Sequence, residues 1–67
     1  MLLENISQQM AAMEMIGKRP RALRADFGSL DALRREVAGS GLLVLPGERI
    51  FGLVIEASTE PDFEVVT

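Results

Sequence analysis

The chain has 67 residues and a net charge of −3, and it contains neither cysteine nor histidine. These absences exclude disulfides, thiolate zinc sites and a histidine general base. A chain this short forms one small domain with a marginal core, and such domains usually depend on a disulfide, a metal or a partner subunit. Only the partner subunit remains, so we expect a homo-oligomer.

Charge is unevenly distributed along the chain. Residues 18–35 hold six bases and two acids, a net charge of +4, whereas residues 36–67 hold six acids and one base, a net charge of −5. A basic middle and an acidic end can complement one another within one subunit or between subunits. A solvated charged surface is the simpler interpretation, and the sequence leaves both open.

No secretory signal or membrane span is predicted. The first five residues include an acid and no base, and no apolar run approaches the roughly 20 residues that a membrane-spanning helix needs. We therefore expect a cytoplasmic protein without a membrane partner.

Residues 2–16 are predicted to form a helix. Its apolar residues recur at a 3-4-3 spacing, and Gly17 and Pro20 follow as a stop signal. The helical arm, residues 1–17, can pack on the chain's own core, residues 18–67, or on a neighbouring subunit. We expect a self-association surface that combines the helix stripe with two residues of a later strand: Leu3, Ile6, Met10, Met13, Ile50 and Val54.

A strand and a short helix are predicted next. Residues 20–27 alternate between apolar and polar side chains after a proline, which favours a half-exposed strand. Ser29 is the expected N-cap of the helix, because its hydroxyl can accept a hydrogen bond from a free backbone N–H. Gly39-Ser40-Gly41 is expected to end that helix.

Three further strands complete the predicted α+β fold, whose sheet we expect to be mainly antiparallel. Residues 42–45 and 50–57 are apolar runs separated by Pro46-Gly47, which favours a type II turn and hence a hairpin. Residues 63–66 predict a short last strand. Both faces of residues 50–57 are apolar, so both need cover. The expected core is Leu23, Phe27, Leu33, Val37, Leu43, Leu45, Phe51, Leu53 and Ile55.

Nucleic-acid binding is the alternative function. Residues 49–56 resemble the RNA-reading strand of RNA-recognition domains at Arg49, Phe51, Gly52 and Val54. However, Leu53 and Glu56 stand where that strand has aromatic residues for base stacking. The basic segment, residues 18–35, could instead contact phosphates, and it would form one strongly basic patch if Arg24 shares a face with the helix arginines. Its candidate contacts are Lys18, Arg19, Arg21, Arg24, Arg34 and Arg35. The acidic net charge makes nucleic acid the less favoured partner.

No catalytic, metal or cofactor site is predicted. A serine nucleophile needs a base within hydrogen-bond reach, and without histidine only Lys18 could serve. Glu60, Asp62 and Glu64 lie in a turn and a strand end without the signature of a calcium loop. We therefore expect a protein that is not an enzyme.

Three short pieces of the sequence carry a resemblance: Arg19-Pro20, residues 30–36 and residues 51–55. They resemble small proteins encoded in the structural regions of tailed phages and prophages, although Val54 stands where those sequences usually have proline. The resemblance implies assembly or virion association and no catalytic residue. The sequence thus predicts a self-associating structural or interaction protein, with an unidentified protein partner left open.

Overall fold

The computed structural model describes all 67 residues and contains two helices and one four-stranded sheet. The predicted α+β fold is confirmed. In chain order the elements are α1 (Leu2–Met15), β1 (Ala22–Asp26), α2 (Phe27–Glu36), β2 (Arg49–Ile50), β3 (Leu53–Ser58) and β4 (Phe63–Val66).

The sheet is mixed: two of its three strand pairings are antiparallel, in line with the mainly antiparallel sheet predicted, and the central pairing is parallel. Its strand order is β2-β3-β1-β4, with β1 parallel to β3 and the two outer pairs antiparallel. Helix α2 begins directly after β1 and returns the chain to the end of the sheet where β1 started. The next central strand therefore runs parallel to β1, as in other strand–helix–strand units.

Both helices pack on the same face of the sheet, which we call the inner face. Alternate strand residues, including Leu23, Ile55 and Val65, point to this face and join α1 and α2 in one core. The helices contribute Ile6, Leu30 and Leu33 to that core. The opposite, outer face carries Arg24 and its neighbours and has no helix against it.

Helix α1 is tied to its own chain at three points. Ile6 is buried in the core, and the Glu36 carboxylate accepts hydrogen bonds from the backbone N–H groups of Leu2 (2.8 Å) and Leu3 (3.2 Å). The Leu2 N–H is the main reason that the pKa of Glu36 lies below its ordinary value. Gln9 makes the third attachment, to the free edge of β4.

The Gln9 side chain pairs with β4 as a neighbouring strand would. Its amide nitrogen donates to the Phe63 carbonyl (3.3 Å), and its amide oxygen accepts from the Val65 N–H (2.7 Å). β4 is an edge strand, and unpaired edges tend to recruit other chains. A side chain of α1 therefore covers part of the edge that would otherwise be free.

The start of α2 differs from the prediction. Asp26, rather than Ser29, is the N-cap: its carboxylate accepts from the Ser29 N–H (3.2 Å) and the Ser29 hydroxyl (2.6 Å), and the hydroxyl lowers the pKa of Asp26. The chain thus turns into the helix at Phe27. That side chain was expected in the core, but it lies in the first helical turn and is 64% exposed.

The predicted hairpin is misplaced along the chain. Residues 42–45 form no strand, and the tight hairpin turn lies at Phe51-Gly52, between β2 and β3. The Pro46-Gly47 turn does form, with Gly47 at a φ of 90° and the Glu48 N–H donating to the Leu45 carbonyl, but it leads into β2. An apolar run without alternation does not by itself distinguish a strand from a loop.

The misplaced hairpin accounts for the other errors in the predicted core. Leu23, Leu33, Val37, Leu53 and Ile55 are buried as predicted, whereas Leu43, Leu45 and Phe51 are exposed. In the loop between α2 and β2, only Val44 enters the core. The Arg34 guanidinium donates to the Val44 carbonyl through Nε (3.3 Å) and Nη2 (3.1 Å), which holds the loop in place and leaves its leucines outward.

Candidate self-association surface

Two of the six residues expected to form a self-association surface are buried in the chain's own core. Ile6 and Ile50 are 0% and 1% exposed, so the prediction is wrong for both: α1 packs on its own sheet, and its stripe becomes core. Leu3, Met10 and Met13 are partly buried against that core. Val54 alone points to the outer face, where it is half-buried.

The outer face has an apolar row beside a charged row. Val54, Ala22 and Val66 lie side by side across β3, β1 and β4. In the next row Arg24 lies between two acids, with its Nε 3.9 Å from the Glu56 carboxylate and its Nη1 3.9 Å from that of Glu64. These side chains are about half exposed, so the ion pairs contribute little to stability.

Large apolar side chains are exposed at eight positions, with exposed fractions from 44% to 87%. Three belong to the loop between α2 and β2, three lie at the two ends of α1, and two are phenylalanines, one in the first turn of α2 and one in the β2–β3 turn. They are Met1, Met15, Ile16, Phe27, Leu42, Leu43, Leu45 and Phe51. Sequence reasoning missed them because it assigned four of the eight to the core. The glycine and proline that flank residues 42–45 were the available signal.

Phe51 is exposed and also conformationally unfavourable. Its φ is 51°, next to Gly52 at 80°, and it is the one non-glycine residue with a positive φ. The tight turn of a two-residue hairpin requires such angles and favours Asn or Gly, because a side chain costs about 1 kcal/mol there. Half of the side chain remains exposed, so burial in the chain's own core does not offset this cost.

The candidate nucleic-acid contacts do not form one patch. Arg24 lies on the outer face between two glutamates, whereas Arg34 and Arg35 both pair with Asp31 on α2, on the other side of the sheet. The condition that Arg24 share a face with the helix arginines is therefore not met. The other three candidates, Lys18, Arg19 and Arg21, are exposed in the connection between α1 and β1 and form no ion pair.

The structure contains no pocket and no group of three acidic side chains close enough to hold a metal ion. Neither helix is long and apolar enough to cross a membrane. Comparison with protein-family models, curated proteins and solved structures finds no match to this chain.

Proposed function

We propose that this protein is a small, non-enzymatic structural or interaction protein that associates with copies of itself. The observation that carries the proposal is the contrast between eight exposed large apolar side chains and a core of only 12 buried residues. An apolar surface gains free energy when a partner removes it from water. The resemblance of Arg19-Pro20, residues 30–36 and residues 51–55 to small proteins from phage structural regions supports a role in assembly.

Because the chain is small, association should have a large effect on its stability. A domain of 67 residues has a free energy of unfolding of about 3–10 kcal/mol, at the typical value per residue. A standard interface buries about 600–1,000 Å² on each partner, which is about a fifth of the 4396 Å² exposed here. Binding between folded copies therefore adds a stabilising term that is comparable with the stability of one copy.

Light scattering across a concentration series tests the proposal. We expect a mass above the 7.3 kDa of one copy at micromolar concentration, rising with concentration. The fluorescence of a dye that binds apolar surface should fall per chain over the same series, because association covers that surface. A mass of one copy throughout the series would refute the proposed function.

Nucleic-acid binding is not favoured as a second function, because Arg24 is flanked by glutamates and the helix arginines are paired with Asp31. The exposed cations Lys18, Arg19 and Arg21 form no ion pair within one copy and are better complemented by the acidic surface of another copy of this chain.

A further inference from the structure

The two ends of the sheet carry opposite charge. β1 and β3 are parallel, so they start at the same end, and β4 runs back towards that end. We call it the basic end: Arg21 lies there between Val54 and Val66, to which its backbone is hydrogen-bonded. The basic end has four cationic side chains, from the α1–β1 connection and from β2: Lys18, Arg19, Arg21 and Arg49.

The other end, where β1 and β3 finish and β4 begins, is the acidic end. The Asp26 N–H donates to the Asp62 carbonyl (3.0 Å), which joins the β3–β4 turn to the last residue of β1. Asp26, Glu60 and Asp62 form this acidic end, and Glu56 and Glu64 follow one row inward. The charge imbalance along the chain has thus become a charge separation in space.

These charges are not neutralised within one copy. None of the four cations of the basic end forms an ion pair, and no ion pair involves Asp26, Glu60 or Asp62. The five residues of β1 hold the two ends about 13 Å apart, which exceeds the screening length at physiological salt, about 8 Å. A second molecule is therefore needed to bring the opposite charges into contact.

Each end also exposes one aromatic side chain. Phe51 lies in the β2–β3 turn at the basic end, held at its unfavourable φ, and Phe27 follows Asp26 at the acidic end. Exposed aromatic residues surrounded by charged ones have the composition of an interface centre with a polar rim. The leucines of residues 42–45 belong to neither the basic end nor the acidic end, so we do not assign them to this interface.

We propose that copies of this chain associate head to tail, with the basic end and Phe51 of one copy against the acidic end and Phe27 of the next. This inference rests on the proposed self-association and specifies its geometry. A symmetric contact would place the four cations of one basic end against the four of another, which costs free energy. A head-to-tail contact leaves one end of each kind free, so the assembly grows into a ring or an open filament.

Charge reversal at one end at a time tests this geometry. Arg19→Glu changes the basic end and Glu60→Lys changes the acidic end; both side chains are exposed and make no hydrogen bond within the chain. Each variant alone should associate at least tenfold more weakly than the wild type in sedimentation velocity. An equimolar mixture should recover the association, because the two variants then present complementary ends to each other. Arg35→Glu makes the same charge change on α2, at a residue that belongs to neither charged set and is paired with Asp31 in the wild type; it is the control and should associate as the wild type does.

The outcomes separate this proposal from self-association itself. A wild type that stays monomeric overturns both. A wild type that associates while neither single variant weakens it, or a mixture that fails to recover, overturns the head-to-tail geometry and leaves self-association standing. A wild type that stops at a dimer also overturns the geometry. If a labelled single-stranded oligonucleotide binds the wild type and Arg19→Glu abolishes binding while Glu60→Lys does not affect association, the basic end is instead a nucleic-acid surface.

Discussion

Gln9→Ala should destabilise the protein by removing the cover of the β4 edge. Besides an exposed hydrogen bond to Asn5 within α1, the substitution deletes the two hydrogen bonds that join Gln9 to β4, one to the Phe63 carbonyl (3.3 Å) and one from the Val65 N–H (2.7 Å). A neutral hydrogen bond contributes about 0.5–1.5 kcal/mol net, and the longer of the two falls at the weak end of that range. We therefore expect a loss of about 1–2 kcal/mol from the free energy of unfolding.

Gln8→Ala is the matched control. Gln8 is one position earlier on α1, is exposed and makes no hydrogen bond through its side chain, so it carries the same change in helix propensity without the contact to β4. Urea unfolding followed by circular dichroism, at one protein concentration, measures both variants. With a urea dependence near the low end of the usual range, the Gln9→Ala midpoint should lie about 1–2 M below that of Gln8→Ala.

Amide hydrogen exchange gives the local readout. The Val65 amide should exchange faster in Gln9→Ala than in Gln8→Ala, because its hydrogen-bond acceptor has gone. Equal urea midpoints and equal Val65 exchange in the two variants would refute the idea that the Gln9 amide acts as a substitute strand.

Three other positions test the packing of α1, the hairpin turn and the contacts of the Glu36 carboxylate with the start of α1. Ile6→Ala should cost about 2–5 kcal/mol in urea unfolding, because the side chain is fully buried, whereas Met15→Ala on the same helix should cost almost nothing. A small effect of Ile6→Ala on stability would mean that α1 does not pack on its own sheet. Phe51→Asn should raise the free energy of unfolding by about 1 kcal/mol, because Asn tolerates a positive φ, and should weaken self-association at least tenfold. Unchanged association would remove Phe51 from the interface. The pKa of Glu36 and that of Asp26 are lowered on folding, so their contribution is complete above the ordinary values of 4.5 and 3.8 and is lost as the pH falls below them. The urea concentration at the unfolding midpoint should therefore decrease as the pH is lowered below about 4.5, and it should decrease less in Glu36→Gln. The same pH dependence in the wild type and in Glu36→Gln would contradict the role of Glu36.

The helices were predictable because local features determine them. The spacing of apolar residues and the Gly17-Lys18-Arg19-Pro20 stop signal place α1 to within one residue of its observed end. The start of α2 was missed by three residues because both Asp26 and Ser29 are good N-caps. Only the three-dimensional contact, in which Asp26 accepts from Ser29, distinguishes them.

Strand pairing was less predictable because it depends on distant residues. The apolar run 42–45 and the β3 run look alike in sequence, but Arg34 holds Val44 in a loop, and β2 is confined to Arg49–Ile50. The exposure of Leu43, Leu45 and Phe51 follows from that pairing. The uneven charge was visible in the sequence, whereas its separation to two ends depends on β1 and β3 being parallel.

Self-association is tested most directly by sedimentation equilibrium of the wild type over a wide concentration range at low and at high salt. We expect the average mass to rise beyond two copies as concentration increases, and to fall at high salt because screening weakens contacts between opposite charges. A single species of 7.3 kDa at every concentration and salt would contradict self-association.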